Sequence, residues 1–287
     1  MTAILEVNNL SKKFGEFFAV KGISFAIEEG EIFSLLGPNG AGKTTTISML
    51  SSLLQPAGGE AIIGGHSVTR DPMAVRNIIG VVPQEIALYE ELTARENLIF
   101  WGQMYGMGGA RLKKRVDEVL AQIGLADKAN QRVKTYSGGM RRRLDLAASL
   151  IARPPIIFLD EPTAGLDPHG RLQLWKVVNQ LVAEGVTVLL TTQYLEEADQ
   201  FANRIAVMNH GKVIVEGTSD ELKSKVGGDV LEVSVQNPAV VGAAAAMLAH
   251  LGEGAPHINA ETRRVVIRIR DRKTALQLDR EPALRRA

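Results

Sequence analysis

The sequence predicts an α/β fold centred on a parallel sheet with helices on both faces. In the second half of the chain each short apolar run is followed by a helical pattern. Ile156–Leu159 precedes Arg171–Val182, and Val186–Thr191 precedes Leu195–Ala202. Apolar strands alternating with helices imply a parallel sheet covered on both sides. The block from Leu92 to Ile151 has no strand signal and reads as a helical insertion beside that sheet, about residues 85–152. After Val226-Gly227-Gly228 the character shifts again. That shift separates a large unit, residues 1–226, from a short α+β appendage, residues 227–287.

The elements follow in order. Ile4–Val7, Phe18–Ile27, Glu31–Leu36 and Glu60–Ile63 are rich in β-branched and aromatic residues and punctuated by glycine, so the N-terminal part is read as antiparallel β. From Gly40 to Gln55 the pattern turns helical, entered through a glycine-rich loop and closed before Pro56. Ile78–Val82 is a further apolar strand, ended by Pro83. Within the insertion, Leu112, Val116, Val119, Leu120 and Ile123 share one helical face, and Gly124 stands where a C-terminal cap belongs. Trp101 and Tyr105, four apart, read as core. Ile205–Met208 and Val213–Val215, split by Asn209-His210-Gly211, predict a closing hairpin. In the appendage Leu231–Val235, an Ala-rich helix near Pro238–Leu251 and the alternating Val265–Arg270 suggest a small βαβ unit.

Composition excludes whole classes of function. The 287 residues include no cysteine, which removes disulfides, thiol catalysis, iron–sulfur clusters and cysteine zinc sites. The five histidines have no metal-ligand spacing. With 33 Lys+Arg against 32 Asp+Glu, the surface as a whole is not built for nucleic acid, and no specific nucleic-acid partner is expected. The longest apolar stretch, Ala239–Leu248, is about half of the ~20 residues a spanning helix needs. Met1–Glu6 lacks the basic flank and apolar run of a signal peptide. A cytoplasmic chain is expected, acting at a membrane only through a partner. Charge is uneven along it: Glu261–Ala287 holds nine Lys/Arg and four Asp/Glu, read as a solvated basic strand and tail.

Three segments carry chemistry. Gly37-Pro38-Asn39-Gly40-Ala41-Gly42-Lys43-Thr44 fits the P-loop pattern, after an apolar strand and before a helix. Its glycines let backbone N–H groups turn inward around phosphate oxygens, and the helix N-terminus adds partial positive charge. Lys43 is expected to reach the β- and γ-phosphates of a nucleoside triphosphate, Thr44 to place its hydroxyl on Mg²⁺, and Thr45 to lie near the α-phosphate. Ile156–Leu159 ends in Asp160-Glu161. The first acid arrives at a strand's C-terminal end, where it can hold the magnesium shell, and the second can orient an attacking water. Between these segments Tyr136-Ser137-Gly138-Gly139-Met140 opens a helix. Its serine hydroxyl, free N–H groups and helix dipole make a second phosphate-binding nose. Glu196-Glu197 read as a solvated helix face.

Taken in order over about Ile4–Gly217, these motifs resemble the ATP-binding subunit of an ABC transporter, most closely the daunorubicin-resistance type of drug-export ATPase. The resemblance implies a P-loop NTPase core of the ABC type that binds and hydrolyses ATP with Mg²⁺. It implies that Phe14, in Phe14-Gly15, stacks on adenine, and that Gln84, in Val82-Pro83-Gln84, links the γ-phosphate and metal to the helical insertion. It also implies that Tyr136–Met140 is the signature, Ala164–Asp167 a loop communicating across a dimer, and Gln193 the switch position. Two departures stand out: the signature more often reads Leu-Ser-Gly-Gly-Gln, and the switch is usually histidine. A glutamine amide still donates a hydrogen bond but takes up no proton, which puts the weight on Glu161. Two copies are expected to pair head-to-tail, each ATP lying between one copy's P-loop and the other's Ser137–Gly139. Export is then driven through a separate membrane permease, with the chain peripheral on the inner face of the membrane. An ABC-type ATPase serving nucleic acid or ribosomes is the rival expectation, with the basic tail as its support. A P-loop kinase leaves Tyr136–Met140 without a role.

Overall fold

The computed structural model describes residues 3–226, 229–235, 237, 240–249, 254–259 and 263–269. The basic tail beyond Ile269 lies outside them. The chain divides into two compact units, Met1–Thr218 and Ser219–Ala287. Residues 219–226, which precede the boundary expected at Val226, group with the second of these units.

In the first unit two sheets enclose a core. One contains β1 (Ala3–Phe14), β2 (Phe17–Glu28), β4 (Gly58–Ile63) and β5 (His66–Ser67), in the order β2-β1-β4-β5 with antiparallel pairing throughout. The other is six-stranded. It contains β3 (Ile32–Leu36), β6 (Ile79–Val82), β7 (Ile156–Asp160), β8 (Thr187–Thr192), β9 (Arg204–Asn209) and β10 (Lys212–Gly217), in the order β10-β9-β3-β8-β7-β6. All its pairs are parallel except the closing β9–β10 hairpin.

The central strands are apolar on both faces because both faces are covered. Along β7, Ile156 and Phe158 join the core shared with the first sheet, while Ile157 and Leu159 join the core on the helical side. That is the period-2 alternation of a strand with no solvent face. The first core adds α1 (Lys43–Leu50), through Ile47, Met49 and Leu50, and Val75 of the short α2 (Pro72–Ile78). The second core takes α3 (Ala94–Met104), α4 (Gly109–Gln122), α5 (Gly138–Leu150) and α6 (Pro168–Ala183). Leu112, Val116, Val119 and Leu120 of α4 are buried, as the helical spacing requires. A capping box starts α3, where Thr93 and Glu96 bond reciprocally. The unit's last helix, α7 (Leu195–Phe201), stacks Phe201 on Trp175 of α6, ring centroids 4.1 Å apart.

Tyr105 is 42% exposed rather than core, because it lies just past the end of α3; Trp101 is half-buried against the insertion.

The second unit contains α8 (Ser219–Val226), β11 (Asp229–Ser234), α9 (Val241–Leu248), β12 (His257–Asn259) and β13 (Arg264–Ile269). Its sheet runs β11-β13-β12 and is antiparallel, so the expected βαβ unit gains a strand and is not a parallel crossover. Val241, Ala244, Ala245 and Leu248 of α9 pack on Val265 and Ile267 of β13. Among the described residues no helix is long and apolar enough to cross a membrane.

Candidate active site

Sheet register brings the chemical segments together. β3, β8 and β7 are adjacent and parallel, with Leu36 opposite Thr192 and Asp160 opposite Thr191. The loop after β3, the turn after β7 and Gln193 after β8 therefore all leave the carboxyl edge of neighbouring strands. Open α/β sheets bind ligands at that edge.

The loop Gly37–Gly42 is tied down at both ends. Gly37 N–H donates to the Thr192 carbonyl at 3.1 Å, and the Ala41 carbonyl accepts from Gly211 N–H at 3.1 Å. Gly42 has φ +103°, and a Cβ there would lie 2.6 Å from the Ala19 carbonyl oxygen, so only glycine lets the loop close against β2. Gly42 also provides no side-chain cap for α1, leaving the helix N-terminus open for an anion.

Lys43, the first residue of α1, is 4% exposed. Its Nζ donates to the carbonyls of Gly37 at 2.8 Å and Pro38 at 3.1 Å and lies 3.2 Å from Glu161 Oε1. The ammonium is thus wrapped in oxygens, one of them anionic. Asp160, 3% exposed, accepts at Oδ1 from Thr191 Oγ1 and, at 3.2 Å, from Thr44 Oγ1. A carboxylate beside a hydroxyl is the oxygen donor set that a hard divalent cation prefers. Glu161 adopts φ +45°, unusual for a residue with a side chain. Its N–H donates to the Thr191 carbonyl at 3.1 Å and the Thr191 hydroxyl at 3.0 Å, which hold the turn against a conformational cost of about 1–3 kcal/mol. The turn sends its carboxylate to Lys43, apart from Asp160.

A cavity of about 300 Å³ opens over these groups. Asn39, Gly40, Gly42, Lys43, Thr44, Thr45 and Glu161 line it, and Phe14, Phe17 and Ala19 of the first sheet complete it. Phe14 and Phe17 face each other across the tight β1–β2 turn at Gly15 and are 47% and 65% exposed. Their rings give the cavity an apolar wall beside the glycine-rich loop. Sequence reasoning misses Phe17 at this wall; its signal is the pairing of two aromatics across a two-residue turn.

Other expected site residues lie outside the cavity lining. Gln84 is exposed, and its carbonyl oxygen lies 3.5 Å from Arg142 Nη1. Gln193 is exposed at the end of β8. Ser137 caps α5, its Oγ accepting from Met140 N–H at 3.3 Å, and Ser137 and Gly138 are exposed.

Glu196 and Glu197 differ, and only Glu196 belongs to a solvated face. Glu197 is 6% exposed; its carboxylate accepts from the hydroxyls of Thr163 and, at 2.9 Å, Thr192. It fastens the turn after Glu161 to the strand that leads into Gln193. Glu197→Ala leaves two hydroxyls without their acceptor and is expected to cost about 1–3 kcal/mol of stability. Urea denaturation of the variant checks this; an unchanged midpoint contradicts it.

A phosphate loop, a buried Asp160, a following Glu161 and a serine–glycine helix start beyond a helical insertion define an ATP-hydrolysing cassette. A family model described as ABC transporter matches residues 20–164, and the chain belongs to that family as one of its ATPases. It is 50% identical over 244 residues to the daunorubicin resistance ATP-binding protein DrrA3 of Streptomyces coeruleorubidus, covering 85% of this chain and 77% of that protein. Among solved structures it is similar to cbiO1 from Clostridium perfringens, part of the ABC transporter complex cbiONQ. That likeness has a TM-score of 0.73 at 28% identity, over 79% of this chain and 92% of the other. It is also similar to the dimeric, post-hydrolysis ATP-binding cassette MJ0796 bound to ADP and Pi. There the TM-score is 0.67 at 31% identity, over 75% of this chain and 98% of the other.

Proposed function

We propose that the chain is the ATP-hydrolysing subunit of a drug or antibiotic exporter and works through a separate membrane permease. Two copies pair around two ATP molecules, each held by one copy's Lys43 loop and the other copy's Ser137–Gly139. The observation that carries this reading is the arrangement of the two phosphate noses: Ser137–Gly139 open α5, yet none of them lines the cavity over Lys43. A second copy gives that idle nose a use. The likeness to DrrA3 supports the cargo class, and the likeness to a dimeric cassette supports the pairing. A role on nucleic acid has the basic tail in its favour, and these relatives speak against it.

In this reading the base stacks at Phe14 and the phosphates replace the contacts Lys43 now makes. Lys43 exchanges the Glu161 carboxylate for phosphate oxygens, and Glu161, so released, orients the attacking water. Asp160 and Thr44 fit a magnesium ion, with Gln84 as a further oxygen donor from its loop. When bound, the ion neutralises charge on the phosphates. Gln193 donates an amide hydrogen bond to the γ-phosphate without taking a proton. Gln193→His is accordingly expected to leave turnover intact or raise it modestly in a phosphate-release assay; complete loss means that glutamine makes a contact histidine cannot copy.

The reading is tested by purifying the chain from membranes and assaying inverted vesicles. A membrane protein should co-purify, and vesicles should accumulate doxorubicin with ATP but not with Lys43→Met. ATP hydrolysis that no membrane protein accompanies and duplex DNA or ribosomal RNA stimulates overturns it.

A further inference from the structure

Behind the site, one guanidinium binds three segments at once. Arg142, 3% exposed, sits in the first turns of α5, five residues beyond Ser137. Its Nε donates to the Pro162 carbonyl at 2.9 Å and its Nη2 to the Asp160 carbonyl at 3.0 Å. Nη1 donates to the Pro83 carbonyl at 2.6 Å and to Asp145 Oδ2 at 3.2 Å. The other carboxylate oxygen of Asp145 accepts from Ala87 N–H at 3.3 Å. The flanking arginines are engaged elsewhere, Arg141 with Glu90 and Arg143 with the Ile123 carbonyl.

Place in the sheet gives these bonds meaning. β6 and β7 pair in register as far as Val82 opposite Leu159 and then separate. Pro83 and Asp160 are the next residues on each strand, and Arg142 takes both carbonyls. The guanidinium therefore continues the ladder at the point where the strands part, one to Gln84 and the other to Glu161. A lysine cannot copy this, because the planar fork presents several donors at fixed angles. Burying the pair is costly: desolvation raises the Asp145 carboxyl to about 6 against the pull of Arg142.

We propose that Arg142, braced by Asp145, is a positioning residue that sets how the Gln84 loop and the Glu161 turn leave the sheet relative to the Ser137 nose. Movement of α5 is thereby transmitted to both groups. The proposal rests on the assignment of Glu161 to turnover.

The test is steady-state ATPase kinetics of Arg142→Lys, Gln84→Ala and the double variant, with Glu161→Gln as a control. Arg142→Lys is expected to lower kcat on the order of 10-fold or more while KM for ATP moves less than about threefold, since the phosphate loop is untouched. The double variant should lose less than the product of the single losses, because both substitutions act through one loop. A purely structural arginine instead lowers the amount of folded enzyme and gives independent effects. Wild-type kcat in Arg142→Lys, or independence of the two substitutions, overturns the proposal. If Arg142→Lys does not fold, the same cycle with Asp145→Asn decides. Full turnover in Glu161→Gln sinks the assignment beneath it, a failure distinct from that of Arg142.

Discussion

Replacing Glu161 by glutamine is expected to slow ATP turnover by about 10²–10⁴-fold, the usual contribution of a positioned general base. It should at the same time tighten ATP binding. The second effect follows from the contact Glu161 makes with the phosphate loop: its carboxylate, itself only 10% exposed, lies 3.2 Å from Nζ of the buried Lys43. In the proposed site an incoming phosphate displaces that carboxylate from the Lys43 ammonium. Glutamine keeps the shape of the side chain and removes the competing charge. The trapped, ATP-filled state should then accumulate as a dimer. Single-turnover hydrolysis and equilibrium binding of a fluorescent ATP analogue separate the effects. Turnover at the wild-type rate removes Glu161 from the chemistry; weaker binding means that its contact with Lys43 does not compete with nucleotide.

Much of this site is legible in the sequence because its parts are local. Gly37–Thr44 and the Asp160-Glu161 pair each announce a strand and the chemistry at its end, so reading the strands also orders the site. Features that depend on a distant partner are not legible. Glu196 and Glu197 are the same residue type side by side, yet a helix turns about 100° per residue. Only Glu197 therefore meets Thr163, which lies 34 positions away. Arg141-Arg142-Arg143 look like one basic run, and nothing local marks the middle one as the one that faces the parting strands. Short elements escape for another reason. His66–Ser67 and His257–Asn259 are too brief for alternation to register, and Pro72–Ile78 buries only Val75, leaving no apolar stripe to read. Phe17 shows a further limit. The strand expected at Phe18–Ile27 stops one residue short of it, and its role as a wall depends on the turn that sets it against Phe14.

Two inactive variants are expected to restore activity when mixed. Lys43→Met removes the ammonium from the phosphate loop while keeping its buried stem. Ser137→Arg fills the exposed start of α5 with a bulky cation and costs only the cap, about 1 kcal/mol. In a homodimer of either variant both sites are broken, one at its loop and one at its nose. A mixed dimer collects both lesions in one site and leaves the other whole, because in the proposed dimer each site takes its loop from one copy and its nose from the other. Random pairing makes about half of the dimers mixed, each with one intact site, so the mixture should recover up to about a quarter of wild-type turnover under two-fold symmetry. Neither parent alone should rise above background at any concentration. The recovery should also fall on dilution, since it depends on association, whereas a defect confined to one chain does not respond to partners. If crosslinking demonstrates mixed dimers and activity still stays at the parental level, the loop and the nose do not share a nucleotide. Full activity of Ser137→Arg alone would exclude the shared site equally, because a site that a single chain completes by itself has no need of Ser137.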